Sequence, residues 1–292
     1  MRPLFVYARD KLRFMQLIVK STLPFEEDRL WIENIRPWLA GHAVQGNALD
    51  LANFVATEML NNVRDHSGSP EVEVLGLASP KNFVIHVNDS GVGLFQRLAT
   101  GLGLASPREA VIEICKGKRT TDPKNHTGQG IFFSTKLCEW FCIEANGVGA
   151  SFNADDGATA GAKMLEFLNP STSGTTIKFR IALDTQRTLR EVFDEYCPQP
   201  DIHFSKTIVA LRLMFEADGS LVSRSQGRRL MAGLEQFEDV TLDFSGVTEI
   251  GQGFADEVFR VWRNAHMAIR LRPVNANTNV SAMLRHAGVG IK

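Results

Sequence analysis

Hydrophobic positions change period several times along this chain, and each change marks an element. Residues 25–41 (FEEDRLWIENIRPWLAG) carry helical spacing that stops at Gly41. The clearest helix covers 48–66, where Leu49, Ala52, Ala56, Met59 and Val63 recur with 3-4-3-4 spacing and form one apolar stripe. Glu58, Asn62 and Asp65 fall on an adjacent face, within about 60° of one another at 100° per residue. The pattern then becomes strand-like. EVEVLGL (71–77) and FVIHVND (83–89) alternate or run apolar about a Ser79-Pro80-Lys81-Asn82 turn and predict a hairpin. Residues 94–127 are rich in glycine and charge around a helix at 107–116, and 130–141 are helical again. The segments FCIEANG, GASFNAD, AKMLEFL and TTIKFRIAL then read as strands. Helix first, antiparallel strands later, with a helix interposed, predicts an α/β two-layer sandwich over residues 1–196.

Cys197-Pro198-Gln199-Pro200 is the expected linker. Beyond it, over 201–292, TIVALRLMF, VTLDFS and AIRLRP are expected strands. They alternate with expected helices SRSQGRRLMAGLEQF, GFADEVFRVWRNAH and NVSAMLRHAG. Such alternation predicts a small second domain with a mostly parallel sheet.

Composition changes this picture little. The chain has 292 residues, 44% hydrophobic and 22% charged, which suits a globular protein of one large or two ordinary domains. A net charge of −1 gives no overall field that favours nucleic acid or an anionic membrane. No apolar run approaches the roughly 18 residues of a membrane span. The N-terminus scatters charge through its apolar residues, unlike a signal peptide, so a cytoplasmic location is expected. Cys115, Cys138, Cys142 and Cys197 lack a second Cys/His pair at metal spacing and read as free thiols.

Three short stretches carry chemistry. On the 48–66 helix, Glu58 can orient or deprotonate a water or hydroxyl, and the Asn62 amide oxygen, one turn on, can ligate magnesium. Asp65 and His66 read either as pocket residues or as groups that finish the helix. In Asp89-Ser-Gly91-Val-Gly93, an apolar strand delivers a carboxylate into a glycine turn, where it can accept a hydrogen bond from an adenine amino group. His126-Thr127-Gly128-Gln129-Gly130 opens a helix, and free N–H groups at such an end attract anions. Lys118 and Arg119 concentrate positive charge just upstream and are expected phosphate contacts. Gly117-Lys118-Arg119-Thr120 is not a P-loop, because Ile112 stands where a glycine is needed and Arg119 separates the lysine from the threonine.

These residues resemble the GHKL ATPase superfamily, which includes DNA gyrase, histidine kinases, ninety-kilodalton heat-shock chaperones and mismatch-repair ATPases. Glu58 to His66 is similar to the N box, and Asp89-Ser-Gly91-Val-Gly93 to the box whose aspartate meets adenine. Gly128-Gln129-Gly130 matches the glycine box at the lid, and Gly174-Thr175 the late box whose threonine supports the aspartate. The resemblance covers roughly residues 20–185. It implies a Bergerat-type sandwich with ATP and Mg bound beneath a mobile lid at about 94–127. It further implies Glu58 as general base, Asn62 as the magnesium ligand and Asp89 as the adenine reader. Gly91, Gly93, Gly128 and Gly130 would be backbone donors or hinges.

The tail resembles STAS domains, the fold of anti-anti-sigma factors. The likeness rests on Asp243-Phe-Ser-Gly-Val247 and Gly251-Gln252-Gly253-Phe254. Gln252 stands near the position of the serine that is phosphorylated in those factors. Together the two resemblances imply a nucleotide-controlled regulator acting through a protein partner or through its own STAS-like domain, with homodimerisation left open. An ATPase driving a conformational cycle and a serine protein kinase are the alternative enzymes, and a binding module without catalysis is a further one. A histidine kinase would need a phosphoacceptor helix ahead of the N box, where His42 is the one histidine and lies beside Gly41.

Overall fold

The computed structural model describes residues 16–118, 128–153, 163–166, 173–197 and 204–289. The first sheet starts with β1 (Gln16–Thr22), an edge strand that the sequence reading passes over. A helical segment follows, built of α1 (Glu27–Leu30), a π-helical turn at Trp31–Ile35 and α2 (Arg36–Gly41). Next come α3 (Gly46–Asn62), β2 (Glu71–Ala78), β3 (Asn82–Asp89), α4 (Leu94–Leu102), α5 (Pro107–Lys116) and α6 (Gly130–Leu137). Strands β4 (Trp140–Ala145), β5 (Val148–Asn153), β6 (Lys163–Glu166) and β7 (Thr175–Ala182) complete the sheet, and α7 (Leu189–Tyr196) follows. The strand order is β1-β2-β3-β7-β4-β5-β6, with every pairing antiparallel.

Alternation builds the two layers. Phe83, Ile85 and Val87 of β3 pair in register with Ile181, Phe179 and Ile177 of β7, and all six are buried on the face that α3 and α6 cover. Full burial of each such side chain contributes about 1.5–3 kcal/mol. The intervening residues His86, Lys178 and Glu144 face the other way, where Lys178 bonds Glu144 at 2.5 Å. The molecule is therefore an α/β sandwich, as expected.

The C-terminal part contains β8 (Lys206–Ala210), α8 (Leu211–Asp218), α9 (Arg224–Met231), β9 (Asp239–Asp243), α10 (Gln252–Asp256), α11 (Arg263–Ala265), β10 (Arg270–Val274) and α12 (Thr278–His286). A π-helical stretch at Glu257–Trp262 joins α10 to α11. The three strands are parallel in the order β10-β9-β8. One expectation fails here: TIVALRLMF is not one strand. The chain turns helical at Leu211, burying Leu211, Leu213 and Met214 while Arg212 and Glu216 pair one turn apart on the outside. The expected helix at 130–141 is likewise shorter. It ends at Leu137, where the Arg187 guanidinium caps it by donating to the Lys136 and Cys138 carbonyls.

Cys115, Cys138 and Cys142 are buried free thiols and Cys197 is half-buried. Burial pushes Cys115 and Cys142 up to about 12, which keeps them protonated at neutral pH. Among the described residues no helix is long and apolar enough to cross a membrane.

Candidate functional site

The cleft forms where α3, the β3–α4 turn, β7 and the start of α6 converge. Met59, Asn62, Val63, His66, Asp89, Gly93, Leu94, Arg97, Ile131 and Thr175 are among its lining residues. α3 supplies one wall because its apolar stripe (Ala52, Ala56, Met59, Val63) is buried against the sheet, which leaves Asn62 at the stripe's edge facing the cleft. The helix continues past Asn62 as a π turn at Val63–Ser67. Its i→i+5 bonding takes up an extra residue and shifts the later side chains out of the regular phase. His66 lines the cleft. Asp65 does not: it is exposed and pairs with Arg64, which also pairs with Glu27. The shared face of Glu58, Asn62 and Asp65 expected for a regular helix is broken by that turn.

Asp89 ends β3 inside the cleft. Its carboxylate accepts from the Gly91 N–H at 2.8 Å. Burial raises its pKa, and hydrogen bonds from Gly91 and from the Thr175 backbone and hydroxyl pull the other way. Thr175 itself is buried, and its Oγ1 accepts from the Leu94 N–H at 3.0 Å, which starts α4. Thr175 thus ties the aspartate to the following helix. Gly174 has φ 93°, and a β-carbon there would overlap the Asp89 carbonyl, so the close crossing of β7 and the β3 end requires glycine. Asn146, in the β4–β5 turn, clamps the same junction. Its Nδ2 donates to the Val92 carbonyl at 2.9 Å and its Oδ1 accepts from the Gln96 N–H at 3.2 Å.

Gly128, Gln129 and Gly130 form the turn into α6 and are half-buried. The Glu58 carboxylate lies directly against this turn, and a β-carbon on Gly130 would collide with its Oε2. Two stretches 72 residues apart in sequence (58 and 130) therefore meet.

The expected lid is only partly described. Residues 94–116 are two ordered helices joined at Gly103, and Arg119 and Thr127 lie outside the described residues. Lys118 is corrected: it does not reach the cleft. Its ammonium donates to the Gln236 carbonyl at 3.0 Å and lies 4.7 Å from the centre of the Phe237 ring. It belongs to a seam between α5 and the C-terminal part. There Lys116 is fully buried and donates to Glu113 at 2.6 Å, to the Arg229 carbonyl at 3.1 Å and to the Ala232 carbonyl at 3.0 Å. Thr207 donates to the Lys116 carbonyl at 2.7 Å, and Arg229 pairs with Glu109 and Asp218.

Sequence reasoning missed Arg97. Its signal was an arginine four residues after Gly93, hence one helical turn into α4. Its Nε is buried and finds no acceptor among the described residues, and the same holds for the donor Asn62 Nδ2. Both are N–H donors and suit an anionic or carbonyl-bearing ligand, which leaves the Asn62 amide oxygen as the one atom of the pair that a hard cation could use. No group of three His, Cys, Asp or Glu among the described residues could cage a metal, whereas Mg²⁺ characteristically takes few protein oxygens and completes its shell with phosphate and water. The Asn62 amide oxygen fits that use.

Residues 226–281 match the family profile described as a STAS-like domain of unknown function (DUF4325), so the C-terminal part is STAS-like. No curated protein matches the chain.

Proposed function

We propose that this chain is an Mg-ATP-binding regulatory protein of GHKL type, whose nucleotide pocket acts through the fused STAS-like part. Asp89 carries the reading. A half-buried carboxylate held by Gly91 and Thr175 in a cleft with much apolar lining suits an adenine amino group, which donates to it. Asn62 would contribute the protein ligand to magnesium. The regulatory part rests on α5, which leads from the cleft-lining region into the bonded seam with the STAS-like part.

Titration of the full chain with ATP, with and without magnesium, tests the proposal. Asp89→Asn should weaken binding about 10- to 100-fold, the range for a lost hydrogen bond to a charged group. Unchanged affinity would remove the pocket from this position. A second reading, hydrolysis, is favoured by the Glu58 carboxylate against the Gly130 turn. Under it, Glu58→Ala abolishes ADP release while ATP still binds; absence of turnover in the parent chain eliminates it.

A further inference from the structure

We infer that Arg97 is the cation that receives the anionic end of the cleft's ligand, so that the pocket selects phosphorylated nucleosides over the bare nucleoside. The inference rests on the adenine-nucleotide reading and deepens it. α4 starts where it does because the Leu94 N–H is held by Thr175 and the Gln96 N–H by Asn146. That fixed start puts Arg97 into the cleft with Asn62, His66 and Asp89. No hydrogen bond or ion pair joins the Arg97 guanidinium to any described residue, although its Nε is shut off from solvent. Arg180 and Arg229 also leave a buried Nε unbonded, but their guanidinium groups pair with Glu139 and with Glu109 and Asp218. Lys116 has three acceptors, and Arg187 has the carbonyls of Lys136 and Cys138.

The surroundings of Arg97 define what is missing. Met59, Val63, Leu94, Ile131 and Ile177 make much of the lining apolar, so little water competes for the guanidinium. The Asp89 carboxylate is already engaged by Gly91 and Thr175. Lys118, the expected phosphate contact, is committed to the seam. A phosphate oxygen pair matches the planar fork of an arginine and supplies the absent acceptor.

The test is calorimetric titration of the full chain, as parent, Arg97→Met and Arg97→Lys, with ATP, ADP and adenosine. Arg97→Met should weaken ATP and ADP by about 10- to 100-fold and leave adenosine within about twofold. Arg97→Lys should recover part of the loss, because it returns charge without the fork. Thermal unfolding of Arg97→Met should occur at or above the parent temperature, since the variant removes a buried donor that has no protein acceptor. Equal losses for ATP and adenosine, or none for either, overturn the assignment while the nucleotide reading stands. A parent chain that binds no adenine nucleotide overturns both.

Discussion

The seam and the cleft both take polar groups out of water, and they treat them in opposite ways. At the seam the Lys116 ammonium is fully buried and meets one carboxylate and two carbonyls, while its own carbonyl accepts from Thr207. In the cleft, Asn62 Nδ2 and Arg97 Nε are shielded from solvent and have no acceptor among the described residues. An unsatisfied buried donor costs about 1–3 kcal/mol. The seam finds most of its partners within the chain, as an element of architecture does: Arg229 leaves its Nε unbonded, yet the same guanidinium pairs with Glu109 and Asp218. The cleft has left positions that a ligand can fill. The difference is between a buried cation that the chain surrounds with acceptors and buried donors that it leaves unbonded, although both regions lie along the same stretch of chain.

The largest effect is expected at the seam. Lys116→Met removes the buried ammonium that Glu113 and two carbonyls share and should destabilise the full chain by about 3–5 kcal/mol in urea unfolding. A loss below about 1 kcal/mol would mean that the seam contributes no more than a surface pair. The next effect is a pH dependence in the cleft. The folded pKa of Asp89 lies above its ordinary value of 3.8. Its contribution to stability is therefore present below the unfolded value and disappears as pH rises through the folded one. On the proposed reading, nucleotide binding needs the carboxylate and has the opposite slope: ATP affinity should fall on acidification through a midpoint above 3.8, and Asp89→Asn should flatten that curve. An affinity constant down to pH 3.8 would separate Asp89 from adenine. The smallest effect is Lys118→Ala, which removes a cation from the Phe237 ring at a cost of about 0.5–1 kcal/mol. ATP affinity should not change; a tenfold loss would return Lys118 to the phosphates.

Periodicity and special chemistry made much of this molecule legible. The α3 stripe and the alternating β2 and β3 carry the two layers of the sandwich, and the meeting of Glu58 with Gly130 follows from placing both at one pocket. Four features escaped for separate physical reasons. The apolar run through Ile208 and Met214 has no clean period, so its turn from strand to helix left no trace. β1 is an edge strand in which burial is never complete, and its exposed Ile18 and charged Lys20 blur any alternation. Whether Asp65 faces the cleft or finishes the helix stayed open, because a π turn cannot be read from spacing. Lys118 sits in a local run of positive charge, but its acceptor, Gln236, lies 118 residues away. A long-range hydrogen bond of that kind has no local signature.

Phe204, the first described residue after the linker, gives the seam a further meaning. Its ring lies 4.8 Å from that of Phe132, 5.2 Å from that of Phe133 and 5.2 Å from that of Phe237. One side chain thus closes an aromatic cluster drawn from both parts of the molecule. A chain severed between Tyr196 and Phe204 would leave α6 with Phe132 uncovered on its surface, directly behind the glycine turn that opens the cleft. For recombination this makes the linker a poor crossover point: a foreign tail would have to bring its own phenylalanine to the same place.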